Sequence, residues 1–295
     1  MDAQELMPEV PLKIDRVGVK GVNRRITIAS PKGPLSYDVV LDAYIDLPHN
    51  MRGIHMSRNI EAFVEAIEEA RSGKASSLEE FLEKICLKLL SKHSYATRAE
   101  VTLYTKYYYM EDFIEPPVPE AADLTITVQM DRDGRSVRGV KVCLIGLTAC
   151  PSAQLTYSEL EKTPLTKSPT HIQRAKLTIC VKNIGRIARI EWLVSAARRS
   201  FSAPVVSLLK KPDEHRILKQ ALKRARFVED VVRHALDNML KTLEEHGFSD
   251  DTVIKVEVES FESIHPHNAY ASREATLGQL RGEAEKGLEN SRSVT

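Results

Sequence analysis

The chain has 295 residues, with 42 Lys+Arg against 41 Asp+Glu and a formal net charge of +1. So even a balance argues against a wholesale nucleic-acid or membrane-surface binder. Four cysteines are too few for a disulfide scaffold and suit a reducing compartment. No stretch approaches the roughly 20 apolar residues of a membrane span. The opening MDAQELMPEV lacks the basic start and apolar run of a signal peptide, so a cytoplasmic protein of about two domains is expected.

In chain order, residues 18–30 and 37–47 read as strands joined by a turn around Pro31, Gly33 and Pro34. A helix follows on the spacing of Ile60, Phe63, Val64 and Ile67. A second follows on Leu78, Phe81, Leu82, Ile85 and Leu89, with Ser77 and Glu80 as its capping box. Alternation returns at 98–108 and 122–131, across the Pro-rich turn Pro116–Pro119, so the first half reads β-β-α-α-β-β. The second half resumes with strands at 135–147 and 175–183 and helices near 189–200 and 226–246. Val228, Val231, Val232, Ala235, Leu236, Met239, Leu240 and Leu243 form one stripe on the last helix. A strand at 253–262 follows, with Ile254, Val256 and Val258 on one face. Two such runs imply an α+β fold, with antiparallel sheets and helices on one face, duplicated as 1–132 and 133–275. Residues 276–295 read as a polar, frayed tail.

Several polar segments interrupt this pattern. Arg52-Gly-Ile-His-Met-Ser-Arg58 is either a Gly turn with Ser57 as helix N-cap, or an anion site in which helix-start N–H groups and Arg58 receive phosphate. Cys86, Cys143 and Cys180 fall inside elements and read as small core residues, whereas Cys150 precedes Pro151 in a polar loop. In Phe261-Glu-Ser-Ile-His-Pro-His267 the strand alternation breaks, and a bulge or bend there would re-aim Glu262, His265 and His267. His171 stands just before a strand. One Cys, two His and a carboxylate suit a divalent transition metal, although the spacings match no zinc-finger template. Between 198 and 226 lie nine Lys/Arg and two acids, Asp213 and Glu214. That stretch is either a solvated basic face or an attractor for a nucleotide triphosphate.

RGIHMSR (52–58), TACP (148–151), THIQR (170–174), KKPDE (210–214), RFVEDVVR (226–233) and FESIHPHNAYA (261–271) together resemble GTP cyclohydrolase type IB, in its archaeal methanopterin-pathway branch. The resemblance implies a tunnelling fold and a homo-oligomer, dimer or tetramer, whose active sites form between subunits. It implies GTP as substrate, Cys150, His171, Glu214 and His265 as metal ligands, and Glu229 as the anchor of the guanine ring. Glu262 and His267, with the ligand Cys150, are then the catalytic group, and His55 and Arg58 lie at the phosphates. The implied metal is one Fe(2+) per subunit, with Zn2+ or Mn2+ accepted by the same donors.

The implied reaction is attack of water on C8 of GTP, with release of formate and diphosphate. Its product is 7,8-dihydroneopterin 2′,3′-cyclic phosphate, at the first step of tetrahydromethanopterin biosynthesis. A bacterial-type relative would instead leave dihydroneopterin triphosphate. The long segment between Cys150 and His171 favours the archaeal branch. Ser152 departs from the Cys-Pro-Cys of many relatives, which removes a second thiol and leaves the ligand. Two other functions compete: a nitrile reductase on the same fold, with a nucleophilic Cys and NADPH, and a nucleic-acid binder using residues 198–226. The second leaves Cys150, His171 and the His-Pro-His cluster unexplained, so no nucleic acid and no membrane are expected as partners.

Overall fold

A computed structural model describes residues 2–29 and 33–292, with side chains described to residue 286. Pro31 of the expected turn lies outside the described residues. The elements are β1 (Ile14–Ile28), β2 (Leu35–Leu47), α1 (Met56–Arg71), α2 (Leu78–Lys92), β3 (Arg98–Glu111), β4 (Val118–Asp131) and β5 (Ser136–Ala149). They continue as α3 (Pro151–Glu161), β6 (Ile172–Ile184), α4 (Ile190–Ser200), β7 (Ala203–Pro204), α5 (Lys211–Lys223), α6 (Val228–Glu245), β8 (Val253–Ser260), β9 (Ala269–Thr276) and α7 (Leu277–Arg292). Two compact units result. One comprises the chain through Thr105 with Thr125–Val140 and Asn183–Ile187; the other comprises Lys106–Leu124, Lys141–Lys182 and the chain from Ala188.

In the first unit β1, β2, β3 and β4 are neighbours in that order, and β2 pairs antiparallel with β1 and β3. Val39, Leu41, Ala43, Ile45 and Leu47 are buried at period two along β2, as a half-covered strand requires. The opposite face carries Asp42 and Asp46, also buried. Asp42 accepts the Gly21 N–H at 2.8 Å, and Asp46 accepts the Thr97 and Arg98 N–H groups at 2.7 and 2.9 Å, which offsets the cost of burying carboxylates. All five apolar residues expected on α2 are buried, and Ser77 caps it by accepting from the Glu80 N–H at 3.2 Å. The reciprocal arm differs: the Glu80 carboxylate takes the Ser76 N–H at 2.8 Å, not that of Ser77. On α1 the buried face runs through Asn59, Ala62, Phe63, Ala66 and Ala70, and Val64 points out at 50% exposure. Small alanines let α1 lie close against α2 and β1, so the core face follows them and not the branched residues. The α1 N-cap is His55, two residues before the Ser57 that the sequence suggests.

His93, at the end of α2, is fully buried between Asn59 Oδ1 and Tyr95 Oη, each at 2.9 Å. Burial, with Arg58 nearby, holds its pKa down at about 4. The folded chain therefore binds fewer protons than the unfolded chain between pH 6.5 and about 4, and stability is lost as pH falls through that window. A shift of this size corresponds to a loss on the order of 3 kcal/mol. The midpoint of thermal unfolding should fall between pH 7 and pH 5, and His93→Gln should flatten that dependence. An unchanged slope in the variant would show that other groups carry it.

In the second unit β5, β6, β8 and β9 are neighbours in that order, with β7 on β5. The register runs from Ala175 opposite Ser260 to Lys182 opposite Val253, and β9 follows β8 from Ala269 opposite Ser260 to Thr276 opposite Val253. Every residue of the expected α6 stripe is buried, on α4, β8 and β9. Removal of those side chains from water holds this layer, at roughly 1.5–3 kcal/mol for each large apolar residue.

Four features depart from the sequence reading. Helices α3 and α5 fill stretches to which the sequence pattern assigns no element, and β9 adds a strand after β8, which ends at Ser260 and not 262. Cys143 and Cys180 are half-buried on the strands, and only Cys86 is a core thiol, its pKa driven up by burial. The expected frayed tail is instead α7 through Arg292. Leu277 and Leu280 are buried, Thr276 Oγ1 accepts the Gln279 N–H at 3.3 Å, and Arg281 pairs with Glu244 and Asp250 at 2.6 and 2.7 Å. An apolar pair one turn apart with a cap suffices to seat an otherwise polar helix. Among the described residues no helix is long and apolar enough to cross a membrane.

Candidate active site

Three adjacent strands of the second unit end at one cleft of about 420 Å³, lined by Cys150, His171, Gln173, Arg226, Glu229 and Glu262 among others. Cys150 leaves β5 and becomes the N-cap of α3, where Pro151 suits the first helical position and Sγ accepts the Ala153 N–H at 3.4 Å. The next strand is tied to it twice: the Cys150 N–H donates to His171 O at 3.2 Å, and Thr170 Oγ1 donates to Cys150 O at 2.7 Å. Thiol and imidazole are thus held by backbone and not by loop chance.

Beyond β8 the strand pattern stops and residues 263–267 form bends, as the broken alternation implied. One further bond, Phe261 N–H to Arg174 O at 2.9 Å, carries Glu262 to the cleft floor. The Glu262 and His171 side chains are 10% and 13% exposed, with Oε2 and Nδ1 3.8 Å apart. His265 meets His171 edge-on at 6.3 Å between ring centroids and stacks on His267 at 5.3 Å. Both histidines stand exposed at the rim of the same cleft.

Glu229 enters from α6. It lies in the first turn, where the partial positive charge of the helix N-terminus favours a carboxylate, and Asp230 takes the Phe227 N–H at 3.1 Å to close that turn. Arg226 locks the approach. Its N–H donates to Ala149 O at 3.0 Å, and Nη1 donates to the Arg199 and Ser200 carbonyls at the end of α4 at 2.9 and 2.7 Å. Of the nine basic residues between 198 and 226, only Arg226 lines the cleft. Arg198 is spent on Glu111 at 2.5 Å, and Arg216 donates to Phe113 O at 2.9 Å.

The other candidates sit apart. Glu214 is exposed in the first turn of α5, outside the cleft lining. Its helix packs through Ile217 and Ala221 on a cluster that includes Ala149, the residue before Cys150. His55 and Arg58 belong to the first unit, where His55 Nε2 lies 3.0 Å from the Asp2 carboxylate. Among the described residues the one trio of potential ligand atoms mutually within 4.8 Å is Asp2, Glu5 and His55; Cys150, His171, Glu214 and His265 are not closed to that separation.

Thr148, Gln173, Ser260 and Arg226 were missed as site residues. Thr148, Gln173 and Ser260 share one signal, a polar residue on the buried side of a strand.

A family model for type I GTP cyclohydrolase folE2 matches residues 1–271. The GTP cyclohydrolase MptA of Aeropyrum pernix is 39% identical, over 98% of this chain and 100% of its own length. That of Methanobrevibacter smithii is 33% identical, over 96% and 97%. Among solved structures, a uricase from Bacillus fastidious aligns with a TM-score of 0.51 at 10% identity, over 94% of this chain and 97% of its own. A uricase from Arthrobacter globiformis gives 0.50 at 10%, over 89% and 93%. At such identities the uricases share the tunnelling fold alone. The matches over nearly the whole length go further: the chain belongs to the type I GTP cyclohydrolase family and is an enzyme of that type.

Proposed function

We propose that this GTP cyclohydrolase is metal-dependent, acts in the methanopterin pathway, and yields 7,8-dihydroneopterin 2′,3′-cyclic phosphate with formate and diphosphate. The observation that carries this reading is the meeting of a thiol, imidazoles and two carboxylates in the second-unit cleft. A soft thiolate beside imidazole nitrogens is a donor set that suits Fe(2+), and equally Zn2+. Cys150, His171 and His265 would hold the ion from the cleft, and Glu214 would supply the fourth donor from α5. When bound, such an ion lowers the pKa of a coordinated water toward ~7.

The protein's own groups do the rest. Glu229 accepts the two N–H groups on the guanine edge and orients C8 toward Cys150 and His171. Glu262 and His267 carry protons to the ring nitrogens as the imidazole opens and formate leaves. His55 and Arg58 are assigned to the phosphates, and the Arg226 guanidinium, held by the Arg199 and Ser200 carbonyls, shapes the cleft wall. The segment between Cys150 and His171, folded as α3 and a short 3-10 turn, together with the names of the relatives, favours the cyclic phosphate over the triphosphate. A homo-oligomer with active sites between subunits belongs to the same reading. Exposed Leu6, Met7, Val10, Leu12 and Ile14, beside a β1 with one neighbour, support it.

Anaerobic incubation with GTP and Fe(2+), with formate assayed and the pterin resolved by mass, tests the whole proposal. Formate release lost to chelator, restored by Fe(2+) and accompanied by the cyclic phosphate is expected. Turnover that survives complete metal removal would refute the metal, and a triphosphate product would refute the branch.

A further inference from the structure

Beneath the cleft, β5, β6 and β8 each contribute one buried polar side chain: Thr148, Gln173 and Ser260. Buried polar atoms are costly unless each finds a partner of opposite kind, so their hydrogen-bond directions can be worked out. Glu262 Oε1 is the acceptor of two of these contacts. Ser260 Oγ donates to it at 2.7 Å. Its oxygen is then left to accept from Thr148 Oγ1 at 3.2 Å. Thr148, having used its proton, accepts from Gln173 Nε2 at 3.1 Å. The same amide nitrogen also faces Glu262 Oε1 at 3.4 Å, which a carbonyl oxygen could not do without repulsion. One orientation of the amide remains, with Oε1 turned to His171 Nδ1 at 2.9 Å. A carbonyl oxygen only accepts, so Nδ1 carries the proton and Nε2 is bare.

We propose that Gln173 is a positioning residue: held by the Glu262 carboxylate, directly and through Thr148 and Ser260, it fixes His171 as the Nδ1–H tautomer and presents Nε2 as a ligand nitrogen to the cleft. The metal part rests on the proposed function; the tautomer does not. Free imidazole has no such fixed choice, and which nitrogen is bare is set by the bond the other makes. The arrangement couples the orientation of a ligand to the carboxylate assigned to proton transfer, through side chains on the cleft floor.

The test uses the full chain labelled with 15N-histidine, metal-free, at about pH 8, where imidazoles are neutral. Long-range 1H–15N correlation should show His171 with Nδ1 protonated and Nε2 bare. In Gln173→Met, similar in size but without an acceptor, the Nε2–H tautomer should gain population. Co(II) affinity should fall about 10- to 100-fold, the usual cost of losing an outer hydrogen-bond partner, with the thermal midpoint little changed. Thr148→Val, which leaves Glu262 to hold the amide, should retain the Nδ1–H tautomer. A wild-type His171 protonated at Nε2, or a Gln173→Met chain binding Co(II) as tightly as wild type, would overturn the proposal. Wild-type protein that binds no Co(II) but shows the Nδ1–H ring would instead sink the metal reading and leave the tautomer standing.

Discussion

Cys150→Ala should abolish GTP-dependent formate release and bound metal together, with kcat/KM down by more than ~100-fold, since even outer partners of a metal cost 10- to 100-fold. The folded state should survive. Sγ makes one weak cap bond, to the Ala153 N–H at 3.4 Å, and an N-cap lost to alanine costs roughly 0.5–2 kcal/mol. Cys150→Ser separates the roles: the hydroxyl keeps the cap of α3 but offers a harder oxygen in place of the thiolate. Restored stability without restored metal is the expected pattern. Cys143→Ala, at a half-buried strand position outside the cleft lining, should behave as wild type. Metal content by elemental analysis, melting curves and formate assays decide the matter. A Cys150→Ala chain that is active and metal-free would remove the thiol from the mechanism.

Glu229→Gln should lower kcat/KM for GTP by about 10- to 150-fold, the equivalent of the 1.5–3 kcal/mol that a charge-assisted hydrogen bond contributes. The substitution preserves shape and replaces an acceptor by an amide that turns one donor toward guanine. The ring N–H groups then lack a full pair of acceptors in a partly desolvated cleft. Because the carboxylate binds ground and transition state alike, the loss should appear mainly in KM. Asp230→Asn serves as the contrast. That side chain closes the first turn of α6 through the Phe227 N–H at 3.1 Å, so its loss should lower stability more than substrate affinity. Steady-state kinetics on GTP suffice, and unchanged kcat/KM in Glu229→Gln would place guanine recognition elsewhere in the cleft.

The two variants draw on different levels of the chain. The α6 stripe, Val228 to Leu243, was legible because eight apolar positions at helical spacing leave no other face to bury. The same holds for β8, where Ile254, Val256 and Val258 alternate with charged residues and are all fully buried. Helix α5 was not legible, since only Ile217 and Ala221 of its thirteen residues are buried, too few to show a period. Strand β9 escaped for a like reason: its cross-strand partners supply the register, and its own residues are mostly polar. On α7, two leucines and a cap outweighed the polar composition that suggests a tail.

The opening charge balance divides in the same way. A net charge of +1 and the local run of nine basic residues were properties of the sequence, as were the elements built on strong periods and the six motifs with their site residues. Where those charges point was decided by the tertiary structure. Arg198 turns to Glu111 and Arg226 to the end of α4, so these two members of the basic run are held by groups far along the chain. So too for the site. Sequence placed Cys150, His171, Glu229 and Glu262 at element ends, but only strand register and a bend after Ser260 brought them to one cleft, over a floor of Thr148, Gln173 and Ser260. The physical reason is range: periodicity and capping act within a few residues, whereas a hydrogen bond spanning 89 residues, as between Gln173 and Glu262, exists only once the sheet has paired.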